Sequence, residues 1–197
     1  PPHTSQRSWR TTLPDCSNPW QQTLAERLRD SWMPGDWFKH SPVTERHYLA
    51  KAEVVASFKP ETAIEIGTRC GYSLLAFHAA SPATRWLAID GGMDDDSEQC
   101  LAHWRRVMAR YQIPADLIIA NSHGIRRLPA RDFAHVDGDH SFTGCYADLN
   151  LVADCRVILA DDYDNPEVAA AVDQFCWHQQ RHKAVYHDGL RQGAIIT

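Results

Sequence analysis

The chain has 197 residues, enough for one domain with a real core. Its formal net charge of -5 gives no basic surface for nucleic acid or for an acidic membrane. With 44% hydrophobic and 23% charged residues, and no apolar run near the roughly 18 residues of a membrane span, it reads as an ordinary globular protein.

The opening PPHTSQRSWRTTLPDCSNPW lacks the apolar centre of a secretory signal. The six cysteines, Cys16, Cys70, Cys100, Cys145, Cys155 and Cys176, contain no C-x-x-C pair. That argues against a zinc knuckle or a redox dithiol, and for reduced thiols packed as small core residues in a cytoplasmic enzyme.

In chain order, residues 1–18 are polar and proline-bearing and read as a draped arm. Trp20, Leu24, Leu28 and Trp32 stand at helical spacing, and Met33-Pro34-Gly35-Asp36 stops that helix. Ser41-Pro42 opens a second helix with Tyr48, Leu49, Ala52, Val55 and Ala56 on its apolar face, closed by Lys59-Pro60. From residue 60 onward strands and helices alternate. Strands are predicted at 62–66, 85–89, 116–120, 132–136, 156–160, 183–187 and 192–196, and helices at 72–80, 97–111, 144–154 and 166–179. Alternation of this kind implies an α/β fold, a mostly parallel sheet with helices on both faces. The last two strands are joined only by Asp188-Gly189-Leu190-Arg191, so they read as an antiparallel hairpin. A plain dinucleotide-binding fold does not end that way.

The chemistry gathers at the carboxyl ends of the strands. Thr62–Ser73 reads as a buried strand, a turn bearing Gly67 and the start of a helix, the setting of a nucleotide-sized pocket. Gly67 and Gly71 let backbone approach a ligand, and Glu65 can accept hydrogen bonds from one. The run is not G-x-G-x-x-G, which weakens a pyrophosphate cradle, and a tight turn without a ligand is the lesser alternative. Asp90 ends the second strand roughly 20 residues on, where an acid meets a ribose hydroxyl pair. Gly91-Gly92 leave room beside it. Asp94, Asp95 and Asp96 read as helix-capping acids rather than a metal cluster. Asn121, Ser122 and His123 either reach a base edge or form an ordinary loop.

The fourth and fifth strands end in VDGDHS and ADDYDN. A hard divalent cation needs carboxylate oxygens converging from separate segments, so Asp137, Asp161 and Asp162 are read jointly as metal ligands. Asp161 and Asp162 can serve one ion only if the chain leaves the strand there. Asp164 and Asn165 read as caps of the following helix. His140, three residues after Asp137, is the best proton acceptor among eleven histidines. His40, His47 and His123 are weaker candidates for substrate contact.

EIGTRCGYS, AIDGG, VDGDHS and ADDYDN, in that order at successive strand ends, resemble class I S-adenosylmethionine-dependent methyltransferases. More narrowly, residues 42–197 resemble small metal-dependent O-methyltransferases related to catechol, caffeoyl-CoA and macrolide-sugar methyltransferases. The resemblance implies a Rossmann-like seven-stranded sheet with a C-terminal antiparallel hairpin. It implies a cofactor site at Glu65, Gly67, Thr68, Gly71, Ser73, Asp90, Gly91, Ser122 and Asp137, and Mg2+ or another divalent cation at Asp137, Asp161 and Asp162. His140 falls where catechol-type members place a catalytic lysine, with Asp137 and Asp139 beside it. Asp162 falls where those members have asparagine. Both departures lean away from a catechol and toward a sugar or other vicinal-diol natural product, a small hydroxylated metabolite. A metal-independent methyltransferase of the same fold is the first alternative; an NAD-linked oxidoreductase or a cofactor-binding module without catalysis are lesser ones. Residues 1–41 are read as an arm and helical lid. Their Trp20, Trp32, Trp37 and Phe38 would form that lid or a homodimer contact.

Overall fold

The structure, a computed structural model, describes residues 19–36, 40–92 and 97–197. The expectations placed on residues 1–18, on Trp37 and Phe38, and on Asp94, Asp95 and Asp96 lie outside the described residues. The elements are α1 (Pro19–Ser31), α2 (Pro42–Phe58), β1 (Thr62–Ile66), α3 (Tyr72–Ala80), β2 (Arg85–Asp90), α4 (Ser97–Tyr111) and β3 (Ala115–Ile119). After a short 3-10 turn at Ser122–Gly124 come β4 (Phe133–Val136), α5 (Phe142–Leu151), β5 (Val157–Ala160), α6 (Pro166–Gln179), β6 (Lys183–His187) and β7 (Gln192–Ile196).

One seven-stranded sheet has the order β3-β2-β1-β4-β5-β7-β6. The first five strands run parallel, while β7 is antiparallel to both β5 and β6. Period-two alternation divides each strand between two cores. Ala63, Ala88, Phe133 and Leu159 pack on one face with α1–α4 residues such as Leu24, Val55, Phe77 and Trp104. Ile64, Ile66, Val136 and Ile158 pack on the other with Leu149, Val172 and Phe175 of α5 and α6. β4 and β5 are buried along their whole length, as strands covered by helices on both faces must be. β3 lies at the sheet edge, and Ile118 and Ile119 are exposed there.

α2 starts where Ser41 accepts from the Thr44 backbone N–H and Thr44 Oγ1 accepts from the Ser41 N–H, with Pro42 in the first turn. It ends at Lys59, whose φ of 45° closes the helix. α5 begins two residues before the predicted start, because Ser141 caps it through the Gly144 N–H, and it stops at Leu151. Leu24 and Leu28 of α1 are fully buried and belong to the same apolar cluster as α2 and α3. The helical part of the first 41 residues therefore shares the main core. The five described cysteines, Cys70, Cys100, Cys145, Cys155 and Cys176, are buried and unpaired by disulfides. Among the described residues no helix is long and apolar enough to cross a membrane.

β1 sits between β2 on one side and β4 on the other, so the loops leaving β1 and β4 diverge in opposite directions. Open α/β sheets form a crevice at that switch point.

Candidate active site

A cleft of about 980 Å³ opens at this crevice, lined by the loops after β1, β2, β4 and β5, by α2, and by Arg191 of the terminal hairpin. Its size suits a nucleoside cofactor together with a small second molecule. The loop after β1 is held tightly: the Gly67 N–H donates to Ile89 O at 2.9 Å and the Gly71 N–H to Thr68 O at 2.8 Å. Gly67 has φ +84°, and a Cβ there would stand 1.9 Å from the Asp137 carbonyl oxygen. Only glycine lets β1 pass the end of β4 at that distance. Asp90 accepts from the Arg69 N–H at 2.7 Å and from the Gly92 N–H at 2.8 Å, one on each carboxylate oxygen. Each oxygen keeps a lone pair for a hydroxyl in the cleft.

The acids gather at one side of the cleft and meet more basic groups than the sequence suggested. Asp161 leaves β5, and Asp162 takes φ +50°, which turns the chain out of the strand. His140 Nε2 stands 3.4 Å from Asp137 Oδ1 and 3.5 Å from Asp162 Oδ2. The hydrogen bond that Asp137 accepts from His140 raises the His140 pKa above the ordinary 6.5, against some burial. Lys51 Nζ lies 3.3 Å from Asp137 Oδ2 and forms a close ion pair with Asp161 Oδ2. Its side chain is 1% exposed. Burial works against the Lys51 ammonium and the Asp161 carboxylate alike. Their attraction outweighs it, with Asp137 adding on the lysine side and His47 on the aspartate side. The lysine is thus held well above its usual range and the acid well below. His47 bridges the remaining acids, with Nδ1 2.6 Å from Asp188 Oδ2 and Nε2 3.6 Å from Asp161 Oδ2. Arg191 Nε is 3.3 Å from Asp162 Oδ1, and its Nη1 is 3.8 Å from Asp164.

The expected divalent cation can be tested against these side chains. The donor atoms fall into two overlapping sets, His135–Asp137–Asp161 and Asp137–His140–Asp162, so Asp161 and Asp162 do not share one position. The Lys51 ammonium already bridges Asp137 and Asp161. A divalent ion bound to both would sit within about 4 Å of it, a repulsion of about 8 kcal/mol at an effective dielectric of about 20. One observation pulls the other way: Asp161 Oδ1 and His135 Nε2 are buried with no hydrogen-bond partner. Both atoms need a donor. With the His135 Nδ1–H donated to Glu65 Oε1, 3.0 Å away, one water molecule donating to both atoms meets that need. The residues present do not fit a divalent ion bridging Asp137 and Asp161.

Gly67, Thr68, Ser73, Asp90, Gly91, Ser122, Asp137, Asp139, His140, Asp161 and Asp162 all line the cleft. Glu65 and Gly71 do not. Glu65 is fully buried against His135, its partner in the β1–β4 register. Gly71 turns α3 beneath Trp104 and Met108, where a Cβ would meet their side chains at 2.8 and 2.9 Å. Asp139 accepts from the Ser141 N–H at 2.8 Å and lies against Gly144 at the start of α5. Ser122 donates to Asp148 Oδ1 at 2.6 Å. Of the two expected caps, Asn165 accepts from the Glu167 N–H, whereas Asp164 accepts from the Gln192 N–H of the hairpin instead. His40 pairs with Glu45 at 2.8 Å outside the cleft, while His123 lines it.

Sequence reasoning missed Lys51, Arg69, His135, Asp188 and Arg191. Two of these left a signal. Lys51 stands three residues after Tyr48 and four before Val55, on the buried stripe of α2. His135 stands two residues after Phe133, on the same face of the buried strand β4. A charged or titratable residue on an apolar stripe marks a paired group.

No family model and no curated protein matches the chain. Solved structures do. A caffeoyl-CoA O-methyltransferase, so described, from Staphylococcus aureus superposes with TM-score 0.63 at 13% identity, covering 91% of this chain and 92% of its own. A methyltransferase of Podospora anserina bound to S-adenosylhomocysteine gives TM-score 0.60 at 16% identity over 91% and 87%. An O-methyltransferase of Bacillus cereus, also with S-adenosylhomocysteine, gives 0.56 at 15% over 94% and 92%. A precorrin methyltransferase of Geobacter metallireducens matches too, with TM-score 0.57 at 16% identity over 85% and 92%, so the likeness extends beyond O-methylation. At these identities the shared property is architecture: the chain has the class I S-adenosylmethionine-dependent methyltransferase fold, in the form that O-methyltransferases share.

Proposed function

We propose that this protein is an S-adenosylmethionine-dependent O-methyltransferase acting on one hydroxyl of a small metabolite. The observation that carries the reading is the cleft at the β1–β4 switch point, with the Gly67 turn on one wall and the free lone pairs of Asp90 on the other. Asp90 and Ser122 would hold the adenosyl part of the cofactor, with Asp137 and His140 on the acceptor side of the cleft. S-adenosylmethionine, when bound, would supply a methyl group to the acceptor oxygen, its carbon–sulfur electron pair leaving with S-adenosylhomocysteine. The hydroxyl proton goes to His140. With Nε2–H donated to Asp137, the lone pair is on Nδ1. The Met33 N–H donates to the Tyr72 hydroxyl and Arg69 donates to Asp36 at the cleft edge, which supports a lid role for the described segment 19–36 beside a catalytic domain of residues 42–197. A vicinal-diol acceptor presupposed a chelating ion. With Lys51 between Asp137 and Asp161, this reading needs only a single hydroxyl.

Calorimetric titration with S-adenosylhomocysteine tests the cofactor assignment. The wild type is expected to bind at about micromolar Kd. Asp90→Ala should weaken binding at least about tenfold, as the loss of hydrogen bonds to a charged acceptor implies. A folded wild type that ignores the nucleotide would end the methyltransferase reading.

His140 carries a second prediction. A general base works when neutral, so turnover should rise with pH through a midpoint above 6.5 and then level off. In Asp137→Asn that midpoint should fall. Because the folded pKa is raised, the stability His140 contributes is present below 6.5 and lost as pH climbs through the folded value. An NMR titration of the His140 ring protons reads the midpoint without any acceptor. A midpoint that does not move in Asp137→Asn would remove the pairing, and full turnover by His140→Ala would remove the base.

A further inference from the structure

We propose that the Lys51 ammonium stands in place of a bridging divalent cation between Asp137 and Asp161, so that no metal ion is bound across those two carboxylates. The chemistry rests on the methyltransferase reading above; the charge arrangement does not.

The lysine is built in by the fold. α2 presents His47, Tyr48 and Lys51 to the cleft, and Lys51 reaches the acids just past the ends of β4 and β5. The Lys51 stem runs past the Tyr48 ring, with Nζ 5.6 Å from its centroid, and the ammonium ends between the two carboxylates. At 1% exposure the ammonium is solvated by the two carboxylates rather than by water. The surroundings are charge-matched as well. Asp161 and Asp188 have His47, while Asp162 has Arg191 and His140.

Lys51 acts as a positioning residue. It holds Asp137 through Oδ2, which leaves Oδ1 for His140, and it fixes Asp161 beneath the acceptor position. The acceptor is then oriented by side chains rather than chelated, and a molecule with one hydroxyl serves as well as a diol.

Mn2+ is the probe, followed by the loss of the free-ion electron paramagnetic resonance signal, with and without S-adenosylhomocysteine. The wild type should leave the signal unchanged up to about 1 mM ion. Lys51→Ala should gain a 1:1 site at least about tenfold tighter than any wild-type binding, since the two carboxylates lose their ammonium and keep their charge. Asp161→Asn in that background should remove the gain. Lys51→Gln, which keeps most of the stem, substitutes for the alanine variant if the latter does not fold. Two outcomes overturn the proposal: stoichiometric Mn2+ binding by the wild type that Asp161→Asn abolishes, or no gain of a site in either lysine variant. Nucleotide titration of the same samples keeps the two readings separate, because failure to bind S-adenosylhomocysteine leaves the Mn2+ result standing.

Discussion

Gly67→Ala should cost the protein its cofactor site and a large part of its stability together. The position has φ +84°, and the new Cβ would meet the Asp137 carbonyl oxygen at 1.9 Å, its carbon at 2.5 Å and the Gly138 nitrogen at 2.8 Å. These are backbone atoms, held in turn by the Asp137 N–H donating to Ile66 O at 2.9 Å. No side chain can rotate away, so β1 and β4 must separate at the switch point. Left-handed strain and this displacement together should exceed about 3 kcal/mol. For a chain of this size that is a fall of about 6–12 °C in melting temperature. Thermal denaturation and nucleotide titration measure the two effects. A variant that melts like the wild type and still binds S-adenosylhomocysteine would show that the two strand ends do not approach this closely.

The second large effect is expected at Lys51. Lys51→Met keeps much of the volume but removes the ammonium that Asp161 contacts, and it leaves Asp161 buried at 5% exposure beside Asp137. Breaking a buried pair by deleting one partner costs about 3–5 kcal/mol. The pH dependence follows from the Asp161 shift. In the wild type burial opposes the carboxylate, and Lys51 with His47 overcomes it. The folded pKa is therefore below 3.8, and the stability is present above that value and lost only as pH falls through the lower one. Without Lys51 the burial effect is less opposed and the folded pKa rises. The deficit of the variant should accordingly be largest near neutral pH and shrink as pH falls toward 4. Chemical denaturation at several pH values checks this. A deficit independent of pH would mean that Lys51 contributes packing and not charge.

How much of this was legible beforehand depends on the range of the forces concerned. The strands at 62–66, 183–187 and 192–196 and the helices at 72–80, 97–111 and 166–179 fall at the predicted residues, because alternation, caps and glycine turns are local. The hairpin was equally local. Glu65 was harder. It stands in the motif the resemblance assigns to the cofactor, yet the β1–β4 register sets it against His135, inside the sheet rather than in the cleft. A register is a pairing of segments some 70 residues apart, and nothing within either strand announces it.

The chain order alone determined the α/β alternation, the crevice-forming glycine turn, Asp90 at the end of its strand and the acids at the ends of the fourth and fifth strands. Each of these follows from a residue's relation to its own element. What surrounds the acids was decided by tertiary structure. Lys51 enters from a helix that precedes the sheet in sequence, and Asp188 and Arg191 enter from the hairpin at its end. The hairpin turn reaches the cleft because β7 runs antiparallel to β5, which brings residues 188–191 to the same carboxyl edge. Whether a carboxylate cluster is a metal site or a charge-matched one depends on which cations share its few ångströms, because Coulomb interactions depend on distance through space and not along the chain.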